Sequence, residues 1–180
     1  FLVSHVAGNL LLLVDDDGAS YNAYARKIKG FGHWLTLARV MLASLFLVHI
    51  VLALRLAWQN RKARGGRSIR TEKRTMLLAG GLVATFLVVH LRHFTFDDRF
   101  DFDGAGLVKE TLQATPTMLL YGLGLLALGV HLWHAVPNAM QSLGWPHPRW
   151  NRVIRPVARA LTSVITALFL WLLLGTFFGR

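Results

Sequence analysis

Polar residues fall along this chain in blocks, and between the blocks run stretches that are apolar on every helical face. The first apolar stretch ends near Val14. The others run from about Phe31 to Trp58, Thr75 to Phe94, Pro116 to Met140 and Val153 to Phe178. A membrane-spanning helix takes about 20 residues, and the last four stretches meet that length. They are rich in Leu and do not alternate with period two, so they predict helices rather than barrel strands. Pro116 stands where the first turn of a helix tolerates it. The expectation is an all-α polytopic membrane protein, a five-transmembrane-helix bundle forming one transmembrane domain over residues 1–180. The opening "FLVSHVAGNLLLLV" has no start Met and no basic flank, so it reads as the far part of an incomplete first helix and not as a signal peptide.

Composition supports lipid as the solvent. The chain of 180 residues is 54% hydrophobic with a mean hydropathy of +0.44, and only 16% is charged, against about 25% in soluble domains. It has no Cys, which excludes disulfides, thiolate nucleophiles and Cys-ligated metals.

The net charge of +11 would suggest nucleic acid in a soluble chain. Here the positive charge lies in short stretches between apolar segments, which points to topology and anionic lipid instead; no nucleic-acid partner is expected. The stretch "NRKARGGRSIRTEKR" after the second segment holds seven Lys or Arg and one Glu, and Arg149, Arg152, Arg155 and Arg159 follow the fourth. Asp15, Asp16 and Asp17 follow the first segment. Asp97, Asp98, Asp101, Asp103 and Glu110 follow the third, against Arg99 and Lys109. The positive-inside rule puts both basic stretches in the cytoplasm and both Asp-bearing stretches outside.

Four of these helices each carry one deep histidine: His5, His49, His90 and His131, spaced 44, 41 and 41 residues apart. An intramembrane His is costly unless partnered and marks a candidate site. At 1.5 Å per residue, His5 and His90 lie roughly 8–14 Å from the outer ends of their helices, and His49 and His131 roughly 22–27 Å below the outer starts of theirs. The four therefore sort into an outer and an inner pair. Two imidazoles facing each other across an apolar gap suit a haem iron with two axial nitrogens, and two such pairs would make a transmembrane electron path. Zinc wants more ligands than a pair supplies; a proton relay leaves the sorting by depth unexplained. Gly8, Gly80, Gly81, Gly122, Gly124 and Gly129 permit close helix approach and would leave room for a flat macrocycle.

The runs "SHVAGNL" around His5, "HIVLALRLAWQNRKAR" from His49, "HLRHF" from His90 and "HLWHAVPNAMQSLG" from His131, taken in order, resemble the five-helix cytochrome b558-type membrane anchor of succinate:quinone oxidoreductases (succinate dehydrogenase or fumarate reductase). The resemblance implies two haem b groups, an outer one held by His5 and His90 and an inner one by His49 and His131. It also implies a flavoprotein subunit and an iron–sulfur subunit on the cytoplasmic face of the cell inner membrane. Dicarboxylate chemistry would take place in those partners, and this chain would exchange electrons with a membrane quinone.

His93 and His134 each lie three residues beyond a proposed ligand, on nearly the same helix face; each is an alternative ligand or a propionate contact. His90 and His131 are preferred because they lie deeper. Arg39 and, less directly, Arg92 are candidates for propionate pairing, with snorkelling to the interface as the alternative. Ser4, Asn9, Trp34, Glu110, His134 and Gln141 are the polar groups open to a quinone cleft. Trp58, Trp133, Trp145 and Trp150 read as an interfacial belt. Two rival functions remain: a di-haem anchor for another quinone-linked enzyme, such as a hydrogenase or formate dehydrogenase, and a haem-free transporter or structural membrane protein.

Overall fold

In lipid every backbone polar group must find its partner within the segment, and the long apolar stretches accordingly form long helices. The computed structural model describes residues 1–63, 71–143 and 148–179, with side chains described except at 72, 73, 141 and 148–151. Helix α1 spans Leu2–Leu10 and runs into a 3-10 turn, Leu11–Leu13; α2 spans Ala19–Lys29, α3 His33–Ala63 and α4 Thr71–Phe94. A 3-10 turn, Asp98–Asp101, precedes α5 at Gly104–Gln113; α6 is Thr115–Ser142 and α7 Pro148–Phe177. Among the described residues, four segments are long and apolar enough to cross a membrane: His33–Ala63, Arg74–Phe94, Thr115–Met140 and Arg152–Phe177. The apolar helix at Leu2–Leu13 is shorter. The fold is thus all-α and multi-pass, with four long apolar helices.

The bundle has a centre and an outlier. α6 packs along both α4 and α7, and α1 lies against α7. α7 buries Ala158, Thr162, Ile165, Phe169, Leu172, Leu173 and Thr176, a stripe of helical period on one face. α3 is different: no residue in it is buried, and it packs extensively against no other helix among the described residues. It is apolar all round, as expected of a helix whose solvent is lipid.

Two short helices missing from the sequence reading cap one end. Gly18 sits at φ 71°, a left-handed turn that favours glycine, and starts α2. Asp17 accepts from the Ala19 N–H at 3.0 Å and Asp15 from the Ser20 N–H at 2.9 Å. Asp103 caps α5, accepting from the Gly106 N–H at 2.9 Å. The two helices are then tied together. The Asn22 amide donates to Asp103 at 3.0 Å and its carbonyl accepts from the Ala105 N–H at 3.0 Å. Lys29 donates to Asp101 at 2.7 Å and to the Phe100 carbonyl at 2.9 Å, and Lys109 donates to the Asp16 carbonyl at 2.7 Å. Both Asp-bearing stretches therefore occupy one end of the molecule, here called the acidic end. A buried cluster lies beneath them, including Val6, Leu12, Tyr21, Val108, Tyr121 and Phe169. Burial pushes the Tyr21 hydroxyl up to about 12. The opposite, basic end holds the last turn of α3, with Arg61 and Lys62, and the start of α7. The basic stretch at 64–70, and Gln141, Arg149, Trp145 and Trp150, lie outside the described residues or side chains.

Candidate paired-histidine site

The four histidines stand on four different helices, and the structure brings them together two by two. His5 of α1 and His90 of α4 have ring centroids 5.9 Å apart with planes at 88°. His49 of α3 and His131 of α6 have centroids 6.2 Å apart with planes at 84°. In both cases the parent helices are not packed on each other: neither α1 with α4 nor α3 with α6 forms an extended contact. For α3 this is most pronounced, since His49 reaches His131 from a helix with no buried residue.

His49 is exposed, and the other three rings are each held differently. His5 stacks on Phe1 at 5.2 Å and lies 5.9 Å from Phe169 of α7. Asn9, one turn on, donates to the His5 carbonyl at 2.8 Å and approaches its Nδ1 at 3.4 Å, leaving Nε2 as the free nitrogen. His90 is enclosed by Phe86, Phe94 and Tyr121, with centroids at 5.8, 5.3 and 6.0 Å. Its Nδ1 is buried without a hydrogen-bond partner. His131 lays its Cε1–Nδ1 edge on the α4 backbone at Gly80, where an added Cβ would stand 3.2 Å from Cε1 and 3.3 Å from Nδ1. Its Nδ1 is likewise buried without a hydrogen-bond partner. Buried imidazole nitrogens without partners are uncommon and costly.

These residues fit a bis-imidazole haem. A metal–imidazole bond is about 2 Å, so two imidazoles trans across one iron place their centroids about 6 Å apart. Both pairs have that spacing, and both lie where two helices stand off from one another. Coordination at Nε2 would leave His131 Nδ1 as an N–H facing the α4 backbone near Gly80; metal-bound histidines commonly give their second ring nitrogen to a carbonyl, carboxylate or water. Among the described residues there is no cluster of three or more His, Asp or Glu of the kind a zinc site uses.

The other candidates are dispersed. His93 accepts from or donates to the Tyr121 hydroxyl at 3.2 Å and stacks on that ring, facing α6 one turn beyond His90. His134 lies close enough to act electrostatically on His131. Arg39 is exposed near the start of α3 and acts on Asp101, and Arg92 on Asp97. Ser4 is bonded to the Phe1 carbonyl at 2.8 Å, Trp34 is exposed, and Glu110 pairs with Arg99 at 3.0 Å. They do not gather with Asn9 and His134 into one cleft. A cleft of about 400 Å³ does open at the acidic end, lined by Arg92, His93, Asp97, Arg99 and Thr111.

Among the described glycines, Gly80 alone borders a proposed ligand. Gly124 receives the Phe86 ring, Gly129 faces Thr166, Gly8 faces Tyr24, and Gly81 meets nothing within 4 Å. Tyr121, which touches both His90 and His93, was missed from the sequence. A Tyr amid an apolar helix needs a hydrogen-bond partner for its hydroxyl, and that was the available signal. No protein-family model, curated protein or solved structure matches the chain.

Proposed function

We propose that this chain is a di-haem cytochrome b membrane subunit that carries electrons across the bilayer. The observation that supports it is the recurrence of one geometry: two imidazole pairs at about 6 Å, each bridging helices that do not pack on one another. His5 and His90 are the proposed axial residues of the centre at the acidic end, and His49 and His131 of the deeper centre. Haem b, when bound, supplies a one-electron couple whose potential is set by its ligands, their hydrogen bonds and local polarity. Asn9 positions His5 by holding its Nδ1 edge. Phe86, Phe94 and Tyr121 wall in His90, keeping water from it and lowering the local polarity. Gly80 admits the His131 ring against α4.

The ordered His-bearing runs support a finer reading: the anchor of a succinate:quinone oxidoreductase, with iron–sulfur and flavoprotein partners at the basic, cytoplasmic end. Electrons would then enter at the His49–His131 centre. Quinone is proposed for the acidic-end cleft, because His93 lines it and shares Tyr121 with His90. Arg92, His93 and Asp97 supply polar groups there for binding and for proton exchange with water.

Two measurements test the reading in turn. Expressed alone with adequate haem supply, the chain is expected to bind two haem b per polypeptide by pyridine haemochrome assay. A purified, folded chain with no Soret band would overturn the cytochrome reading. Co-purification in mild detergent then identifies the partner. Succinate- or fumarate-linked subunits support the finer reading, and hydrogenase or formate dehydrogenase subunits replace it with the rival anchor.

A further inference from the structure

A cleft of about 350 Å³ opens between α6 and α7 toward the basic end, lined by Trp133, Arg155, Pro156, Arg159, Ala160 and Ser163. Arg155, Arg159 and Ser163 are four residues apart on α7, so they stand one above another on a single face. The Arg159 guanidinium lies 5.0 Å from the Trp133 ring of α6, a cation–π contact that holds it at the cleft. Pro156 has no N–H to give to the preceding turn, so the Arg152 carbonyl lacks its helical donor. The site is cationic and offers a hydroxyl.

What lies beyond the cleft identifies the ligand. From Trp133 toward the acidic end, α6 exposes Val130, Leu126, Leu123 and Leu119, at 41, 52, 69 and 59%. These positions follow the helical period and form one apolar track leading away from the arginines. Beyond Ser163, α7 also exposes Ala167, Trp171 and Leu174. A cationic head site opening onto an apolar track about 20 Å long (14 residues of helix rise) fits an amphiphile with an anionic head. A free anion has no use for the track, and an acidic protein surface would stay at the head.

We propose that this cleft binds one anionic phospholipid, its phosphate held by Arg155, Arg159 and Ser163, and an acyl chain along the α6 track. The site is separate from both histidine pairs and does not depend on the haem reading.

Native mass spectrometry of the full-length chain in detergent tests this with three probes: phosphatidylglycerol, phosphatidylcholine and inorganic phosphate. One phosphatidylglycerol is expected to remain bound under activation that strips phosphatidylcholine, and millimolar inorganic phosphate should not displace it. Each arginine near a lipid headgroup contributes about 1 kcal/mol, or about fivefold. Arg155→Gln and Arg159→Gln should each weaken retention by about that factor, and Arg159→Lys by less. Leu123→Asn, which leaves the arginines in place, should weaken it too. Equal retention of both lipids, or displacement by inorganic phosphate, overturns the proposal in the wild-type chain, with no variant needed. Unchanged retention in the folded double arginine variant, or a cross-linked partner protein occupying the cleft in place of lipid, overturns it as well.

Discussion

At the residue scale, Gly80 is the described glycine on which a proposed ligand ring rests. A Cβ at Gly80 would press on the His131 edge at 3.2–3.3 Å, so Gly80→Ala should shift that ring by a few tenths of an ångström. Gly80→Leu should expel it. The expected outcome is a changed spectrum or potential for one haem only in Gly80→Ala, and loss of that haem in Gly80→Leu, read by optical redox titration. Gly124 behaves differently because it carries the Phe86 ring. Gly124→Ala overpacks α4 against α6 and should destabilise the chain by about 1–3 kcal/mol, measured as a lowered midpoint on thermal unfolding in detergent. The candidate histidines were legible in the sequence because charge and imidazole are so rare inside apolar segments that four, one per helix, stand out. Tyr121 was legible only as a hydroxyl in need of a partner; which groups it meets depends on neighbours from other helices.

Hydropathy exposed the four long helices because lipid accepts no unsatisfied backbone, so length and apolarity together decide them. α2 and α5 escaped that reading. They are short, mixed in polarity and embedded in charged stretches, and their signals are local: Asp15, Asp17 and Asp103 at helix starts, with Gly18 in a left-handed turn. Asn22 joins these two helices through two hydrogen bonds. Asn22→Ala should loosen the cap by about 1–3 kcal/mol, seen as faster amide exchange in α2 and α5 with little change in α4 and α6. Acid should act on the same element. Hydrogen bonds hold the Asp15, Asp97 and Asp103 carboxyls below the usual carboxylate range, and Lys29 does the same for Asp101. Carboxylates depressed in the folded chain stabilise it above their unfolded values near 4, and that stabilisation is lost as pH falls through the folded values. Protection factors in α2 and α5, corrected for the intrinsic rate at each pH, should therefore fall below about pH 4 before those of the long helices.

At the scale of the whole molecule, both Asp-bearing stretches meet at one end, leaving the basic ends of α3 and α7 at the other. The proposed orientation puts the basic stretch after α3 in the cytoplasm, by the positive-inside rule. The chain has no Cys, so Gly66→Cys gives a single labelling site. It should resist an impermeant maleimide in intact cells and label after permeabilisation; strong labelling in intact cells contradicts the orientation. The central claim is that four histidines form two centres, each shared by two helices that do not pack on each other. Redox titration with low-temperature EPR on His5→Ala, His90→Ala, His49→Ala and His131→Ala tests it most directly. Two phenotypes are predicted: His5→Ala and His90→Ala lose one haem signal, and His49→Ala and His131→Ala lose the other. Loss of one signal in His49→Ala and of the other in His131→Ala would contradict the pairing, and retention of both signals in all four variants would contradict the site.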